Sequence, residues 1–351
     1  MIWHPIAKPA NASRQALSEI LLDLAANSNG NGLASAFQPV IHAWQGTGRS
    51  WTAFIGDATR SGRPGFVVKF ITIGNSAAER TQRATQEYDV LCRVHREFVG
   101  HAELTVPRPI AIYPAAAAVV MTHCNGVCLT QYLSRASTVY STNQRRRACN
   151  EAVTRCARWL RTARQIDLGV ADVQTLRREH VRAMGARLEL ARSHRLLSEA
   201  TIERLFERYV SDSDAVPWDS LDCGFVHHDF GSHNILATND GICVIDLGDS
   251  RMDFVLQDVS RLWLELSVIA ASRALPADRR FTLDLRERFL DAYALDAVQR
   301  SVGLFATNAA LARLLNGHSH KTRRTWPRWR HKMAHFLQHW LNDHALKGVL
   351  A

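Results

Sequence analysis

The chain has 351 residues, a length that favours two domains or two lobes over a single hydrophobic core. Hydrophobic residues make up 46% of it and charged residues 22%, values typical of folded globular proteins that exclude a disordered or collagen-like chain. The formal net charge of +10 at pH 7 allows an anionic partner but does not indicate a fold.

The apolar segments and the cysteines of the sequence bear on the cellular compartment of the protein. The start of the chain lacks the apolar stretch of a signal peptide, and the longest apolar run, Ala115 to Met121, is far too short to span a bilayer. We therefore expect a cytoplasmic protein without a transmembrane segment. The seven cysteines are scattered and contain no CxxC pair, which favours reduced, mostly buried thiols over a disulfide framework or a structural zinc site.

The first third of the chain has the pattern of a small β-rich unit with few helices. Leu17, Ile20 and Leu24 recur at helical spacing and predict a helix over Ser13 to Asn27. A second helix is predicted from about Ser76 to Phe98, with its own apolar face. Turn residues separate the first three predicted strands, which indicates an antiparallel meander. The predicted strands are Pro39 to Trp44, Trp51 to Ile55, Phe66 to Ile71, Pro109 to Tyr113 and Ala116 to Thr122.

The rest of the chain is mostly helical. Leu129 to Tyr209 has an arginine-rich helical pattern that is interrupted near Gly169, and the chain after Val255 is again predicted to be helical. Two short strands are predicted within Phe225 to Asp249. This order predicts an α+β fold of two lobes that frame a cleft, a small antiparallel β lobe with one helix and a larger, mostly helical C-terminal lobe.

The positive charge is concentrated in two places. One is the predicted helix between Arg145 and Arg164, and the other is the segment 321–332, where Trp326 and Trp329 stand among basic residues. Such clusters fit a solvated helix face, and they also fit a contact with an anion or a membrane surface. The sequence leaves both interpretations open.

The segment from Phe225 to Asp249 carries the polar side chains of greatest chemical interest. Asp229 and Asn234 share one loop, and Asp246 follows at the end of a strand. Phosphoryl transfer from a nucleotide needs such a set: one carboxylate to accept the proton of the substrate hydroxyl, and an amide oxygen and a second carboxylate to hold magnesium. The alternative is that the two aspartates only cap turns.

Two strings in this segment, His227 to Leu236 and Val244 to Gly248, resemble the catalytic and metal-binding loops of the aminoglycoside phosphotransferase and choline kinase-like family. That family is a branch of the protein-kinase fold. The resemblance implies that Asp229 is the catalytic base and that Asn234 and Asp246 bind Mg²⁺. It also implies ATP as the phosphate donor, with GTP as the alternative.

The resemblance assigns a structural role to Asp258 and draws attention to His228, because the family commonly has glycine at that position. Either the loop tolerates a side chain there or the histidine faces the substrate. The resemblance covers about residues 36–270, and the first 35 and last 80 residues are only compatible with it. We expect the chain to divide into an N-terminal helical extension (1–35), a β-rich nucleotide-binding lobe (36–122), and a helical lobe with the catalytic loop and substrate site (123–351).

Residues of the predicted β lobe fit what the family needs to hold a nucleotide. Lys69 lies on a predicted strand, where a lysine would touch the phosphates, and Glu87 on the next helix would be its ion-pair partner. Glu79 on the same helix competes for that role, but Glu87 stands among the apolar residues that face inward. The alternative for Lys69 is an ordinary lysine on an edge strand.

Two further segments are expected to bind the nucleotide. Gly46 and Gly48, between the first two strands, would let backbone NH groups approach the phosphates, although a tight hairpin turn explains the same residues. Met121 and Cys124 lie in a segment that resembles the family's hinge, where backbone groups would meet the purine edge.

These residues predict a kinase that phosphorylates a hydroxyl of a sugar-like or polyol small molecule. Enzymes that act on cationic aminoglycosides or choline would present acidic residues near the base, whereas this chain is basic. The alternatives are an antibiotic kinase and a kinase-like protein that binds without catalysis. A transition-metal hydrolase built on the histidine-rich loop would leave the apolar strand before Asp246 unexplained. We expect no nucleic-acid partner, leave a peripheral membrane contact open, and expect a monomer or homodimer.

Overall fold

The chain forms two compact units in a computed structural model that describes residues 11–26, 38–46, 49–58, 64–138, 141–294, 299–321 and 335–343. The first unit consists of Met1–Val127 and Leu236–Ser250, and the second consists of Cys128–Ile235 and Arg251–Ala351. The chain therefore returns to the first unit for the short segment that contains Asp246. The first unit contains most of the strands and the second unit contains most of the helices, so the predicted α+β class is confirmed.

The elements follow the predicted order closely. The strands are β1 (Pro39–Gly46), β2 (Ser50–Asp57), β3 (Pro64–Ile71), β4 (Leu104–Thr105), β5 (Pro109–Tyr113), β6 (Ala118–Thr122), β7 (Val127–Cys128), β8 (Cys223–Val226), β9 (Ile235–Ala237), β10 (Ile242–Val244) and β11 (Arg251–Phe254). The α-helices are α1 (Asn11–Ala26), α2 (Ala77–Phe98), α3 (Leu129–Ala136), α4 (Asn143–Ala163), α5 (Val173–Ser193), α6 (Glu199–Ala215), α7 (Leu256–Ala271), α8 (Pro276–Tyr293) and α9 (Gln299–Lys321). A further helical segment covers 335–343.

A five-stranded antiparallel sheet in the order β1-β2-β3-β6-β5 forms the core of the first unit. Alternate residues of a strand point to opposite faces, so Phe66, Val68 and Phe70 of β3 share one face. On that face they join Leu17 and other apolar residues of α1 in one buried cluster. The residue between two of them on β3 is Lys69, which therefore lies on the other face of the sheet.

A second, smaller sheet in the order β4-β10-β9-β7 carries the segment that precedes Asp246. β10 runs parallel to β4, with Ile242 opposite Leu104. The turn before β10 requires glycine, because a Cβ atom on Gly241 would lie 2.0 Å from the backbone carbonyl oxygen of Glu103. The backbone NH of Ile242 donates to the same oxygen at 2.9 Å, so this close approach fixes the start of β10.

The second unit supports the loop between β8 and β9. β8 pairs with β11, and the fully buried Trp159 of α4 stacks on Phe230 of the loop with ring centroids 5.4 Å apart. Helix α7 packs against α8 and α9. Within the described residues, no helix is long and apolar enough to cross a membrane.

Part of the positive charge of α4 has partners inside the second unit. Arg146 of α4 lies 3.4 Å from Asp278, and Arg164, the residue that follows the helix, lies 2.8 Å from Asp222. These ion pairs favour a structural role for the arginine-rich helix. The Trp-containing basic segment falls outside the described residues, except for the residue that ends α9.

Candidate active site

A buried lysine of the first unit contacts two carboxylates. Nζ of Lys69 lies 2.6 Å from Oε1 of Glu87 and 2.6 Å from Oδ1 of Asp246. The side chain of Lys69 is 12% exposed and that of Glu87 is 5% exposed. Burial alone would lower the pKa of Lys69, but the two carboxylates outweigh it and hold this pKa above its ordinary value. The ammonium group is therefore charged at neutral pH.

Glu87, rather than Glu79, is the partner of Lys69 in the structure. Glu79 belongs to the N-terminal cap of α2: its backbone NH donates to the hydroxyl of Ser76, and its carboxylate accepts from the backbone NH of Asn75 at 2.8 Å. The same carboxylate pairs with Arg83 one turn later. Glu79 and Glu87 thus have separate tasks on one helix.

The backbone after β10 approaches Glu87 closely. A Cβ atom on Gly248 would lie 2.8 Å from Oε2 of Glu87, so only glycine fits there without a shift. Asp246 has a φ of 65°, in the left-handed region that a non-glycine residue adopts only when its surroundings hold it there. Its side chain is half-exposed. The carboxylate is thus anchored to Lys69 on one side and accessible on the other.

The loop between β1 and β2 is tied to the same segment. Arg49 donates two hydrogen bonds to Asp249, at 2.7 and 2.8 Å, in the parallel arrangement that guanidinium and carboxylate groups favour. Gly46 has a packing reason to be glycine, because an added Cβ would lie 2.4 Å from the ring of Trp51. Gly48 lies outside the described residues. The phosphate-binding roles of both glycines stay predictions.

The predicted hinge contains a covalent link that the sequence did not indicate. Cys124 forms a disulfide with Cys243 of β10, with Cα atoms 6.5 Å apart. The expectation that every cysteine is a reduced thiol is therefore wrong for this pair, because the fold brings together two residues that lie far apart in the sequence. Met121 is buried on β6 opposite Val67 of β3. Nucleotide contacts of Met121 and Cys124 stay predictions.

In the second unit, the carboxylate of Asp229 is held by three side chains. Its Oδ1 contacts Nη2 of Arg261, and its Oδ2 accepts from Nδ2 of Asn234 at 3.0 Å. Nε2 of His233 lies 3.3 Å from the same Oδ2. Burial would raise the pKa of Asp229, but the hydrogen bond from His233 and the charge of Arg261 outweigh it and hold this pKa well below its usual range. Asp229 is therefore ionised at any physiological pH.

Two acidic residues of α7 bind the backbone of the same loop. Asp258 accepts from the NH groups of His227 at 2.6 Å and His228 at 3.0 Å, as its predicted structural role requires. Burial raises the pKa of Asp258 to about 6. Glu265 accepts from the NH and the hydroxyl of Ser232, each at 2.8 Å.

Glu265 is also paired with Arg313 of α9, at 3.2 Å. Burial would raise the pKa of Glu265, but the charges of Arg313 and His233 and the hydrogen bonds from Ser232 lower it to about 2. Neither Arg261 nor the pairing of Glu265 with Arg313 was predicted from the sequence. The available signal was the spacing of Asp258, Arg261 and Glu265, three and four residues apart on a largely apolar helix.

His228 occupies a backbone conformation that explains why glycine is common there in the family. Its φ is 62°, and its side chain is only 13% exposed, with Nε2 3.2 Å from Oδ2 of Asp253. The loop therefore tolerates the side chain by pairing it with a buried carboxylate. Burial would raise the pKa of Asp253, but His228 and the backbone NH of Phe254 lower it to about 2.

Oxygen donors suited to magnesium are present in both units. Asn234 uses its Nδ2 to donate to Asp229, which orients its Oδ1 as an acceptor, and Asp246 offers a half-exposed carboxylate. Carboxylate and amide oxygens are the ligands that this hard cation takes from proteins. Among the described residues, no group of three or more His, Cys, Asp and Glu side chains is arranged to hold a metal ion.

The chain is similar to known proteins in sequence and in fold. The model of the family described as "Phosphotransferase enzyme family" matches residues 49–307. No curated protein sequence matches the chain. Solved structures with the same fold include the ADP-bound aminoglycoside phosphotransferase APH(2'')-Ib, at 15% identity and a TM-score of 0.54, covering 96% of this chain and 99% of that one.

Two further structures extend the likeness. The amicoumacin kinase hAmiN, in complex with AMP-PNP and Ca²⁺, is 15% identical with a TM-score of 0.56, and the alignment covers 93% of this chain and 96% of that one. Choline kinase from Cryptosporidium parvum is 14% identical with a TM-score of 0.56, covering 95% and 98%. At these identities the likeness shows the fold, which is protein-kinase-like as the sequence predicted.

Proposed function

The chain belongs to the phosphotransferase enzyme family, and we propose that it transfers the terminal phosphate of ATP to a hydroxyl group of a neutral, sugar-like or polyol acceptor. The observation that carries the proposal is the pairing of Lys69 with both Glu87 and Asp246. A lysine held by an ion pair and placed beside a metal-binding carboxylate is what kinases of this fold use to position nucleotide phosphates.

Each unit has its own part in the proposed chemistry. In the first unit, Lys69 places a fixed positive charge where the nucleotide phosphates bind, and Glu87 keeps its ammonium in position. Mg²⁺ would take oxygen ligands from Asp246 and Asn234 and neutralise charge on the phosphates. ATP is the proposed donor because the family resemblance implies it, and GTP is the alternative.

In the second unit, Asp229 accepts the hydrogen bond of the acceptor hydroxyl. Its depressed pKa means that it orients the hydroxyl and does not hold the proton for long. That suits a loose transition state, in which little negative charge develops on the attacking oxygen and the proton leaves late. Orientation of the attacking oxygen is then the main contribution of the base.

The charges around Asp229 support an acceptor that is not a cation. The nearby acidic residues Asp258 and Glu265 are committed to backbone NH groups of the loop or to Arg313. Beside Asp229 itself stand Arg261 and His233. An ammonium group would meet positive charge here, whereas the hydroxyls of a sugar can hydrogen-bond to both kinds of side chain.

Release of ADP from ATP and Mg²⁺ tests the proposal when it is measured against hexoses, heptoses, nucleosides, choline and aminoglycosides at equal concentrations. We expect stimulation by a sugar-like compound, and Asp229→Asn serves as the matched control for acceptor-dependent turnover. Stimulation by aminoglycosides alone would establish the antibiotic kinase instead. Nucleotide binding without turnover on any acceptor would favour the non-catalytic binding protein.

A further inference from the structure

One face of helix α7 carries three charged side chains whose partners lie in the loop that contains Asp229. Asp258, Arg261 and Glu265 are separated by three and four residues, the spacing that places side chains in one stripe along a helix. The two acidic residues bind backbone NH groups on either side of Asp229. Arg261, between them, contacts Asp229 itself.

The guanidinium of Arg261 spans two acceptors in the loop. Nη1 donates to the backbone carbonyl of His228 at 2.6 Å, and Nη2 contacts Oδ1 of Asp229. The side chain is 25% exposed. A guanidinium group is planar, so contacts from two of its nitrogens fix both the distance and the rotation of the groups that it binds.

The other carboxylate oxygen of Asp229 has a different environment. Oδ2 accepts from Asn234, and the neighbouring His233 is half-exposed. Oδ1 is thus occupied by Arg261, while Oδ2 lies beside Asn234 and 3.3 Å from Nε2 of the half-exposed His233. Rotation of the carboxylate would exchange the two oxygens, and Arg261 opposes that rotation.

We propose that Arg261 is a positioning residue for phosphoryl transfer, which holds the Asp229 carboxylate in the rotation that presents Oδ2 to the attacking oxygen. This inference rests on the proposed function of Asp229. It adds a residue that acts through the base without touching the substrate. Arg261 should therefore matter for turnover and not for nucleotide binding.

The test compares Arg261→Lys with the wild type. Lysine keeps the charge, but its single ammonium nitrogen lacks the rigid planar pair of donors that fixes the rotation of the Asp229 carboxylate. The matched control is Arg286→Lys: Arg286 is 26% exposed, pairs with Glu287 and lies 5.1 Å from the ring of Trp263 on α7. It is an arginine of similar burial against the same helix, without a described contact to the loop.

Two measurements are made on each protein. Hydrolysis of ATP, with water as the acceptor, is measured as phosphate release, and the affinity for ADP is measured by calorimetry. We expect Arg261→Lys to lower kcat by about 10- to 100-fold, the effect of a misplaced reacting group, with the KM for ATP and the affinity for ADP within about twofold of wild type. Arg286→Lys should match wild type in all three. In Arg261→Ala, low millimolar guanidinium should restore part of kcat, since the small cation can occupy the vacated space.

The outcomes separate the inference from the proposed function. If the wild type releases phosphate and Arg261→Lys does so at the same rate, the positioning role is overturned and the proposed function stands. If Arg261→Lys fails to fold while Arg286→Lys folds, or if its KM for ATP rises with kcat unchanged, Arg261 is a structural or binding residue and the inference is again overturned. A wild type that binds no nucleotide and transfers no phosphate would overturn both.

Discussion

Replacing Lys69 by Met should destabilise the protein by an amount that depends on pH. The variant leaves Glu87, whose side chain is 5% exposed, without the ammonium that lies 2.6 Å away in the wild type. Removing one partner of a buried ion pair costs about 3–5 kcal/mol. Glu87 can avoid part of that cost by binding a proton. The free energy needed to protonate Glu87 is therefore an upper limit on the destabilisation that the loss of Lys69 causes.

The limit follows from the ordinary pKa of a glutamate carboxyl, about 4.3, and from about 1.36 kcal/mol for each pH unit. Protonating Glu87 costs about 3.7 kcal/mol at pH 7 and about 1.6 kcal/mol at pH 5.5 on that scale. Burial already raises the pKa of Glu87 in the folded protein, and loss of Lys69 removes the main opposing charge. The folded variant then binds more protons than the unfolded chain above pH 4.3, so its stability rises as pH falls.

Urea unfolding of Lys69→Met and wild type at about pH 7 and about pH 5.5 measures this difference. The control is Arg83→Met, which removes the solvent-accessible partner of Glu79 and should change the unfolding free energy little at both pH values. A deficit for Lys69→Met below about 1 kcal/mol at pH 7 would refute the reasoning. So would a deficit that does not shrink at the lower pH.

Three other predictions concern separate parts of the first unit. Gly241→Ala should lower the unfolding free energy by about 1–3 kcal/mol, because its Cβ would lie 2.0 Å from a backbone oxygen. The control Gly65→Ala has open space around the added Cβ and should change the unfolding free energy little. Equal losses in the two variants would contradict the close approach at Gly241. Thiol titration of the unfolded protein should detect five free cysteines before reduction and all seven after reduction. Detection of seven free thiols before reduction would exclude the disulfide between Cys124 and Cys243. Asp246→Ala should raise the Mg²⁺ concentration needed for half-maximal activity, and an unchanged Mg²⁺ dependence would make Asp246 a structural residue.

Much of the first unit follows from local patterns in the sequence. β1 to β3, α2, β5 and β6 lie within a few residues of their predicted bounds, because their apolar residues recur with the period of a strand or a helix and glycine-containing turns separate them. The loop around Asp229 was located by its motif. The choice of Glu87 over Glu79 followed from the apolar face of one helix, and the structure brings Glu87 to Lys69.

Features that depend on contacts between distant residues could not be predicted. β4 pairs with β10 through only two residues on each strand, too few to give a periodic signal. The same pairing brings the segment 236–250 into the first unit, although the sequence order suggested that the second lobe was continuous from residue 123. The disulfide between Cys124 and Cys243 and the contact of Arg261 with Asp229 likewise arise only when the chain is folded.

In the proposed function, Asp229 orients the attacking hydroxyl for phosphoryl transfer from ATP. The most direct test is the turnover of Asp229→Asn, measured as ADP release with the best acceptor of the panel, beside the affinity of the same protein for ADP. We predict that turnover falls by about two to four orders of magnitude, the range for loss of a general base, while ADP affinity stays within about twofold of wild type. Turnover equal to that of wild type would contradict the account.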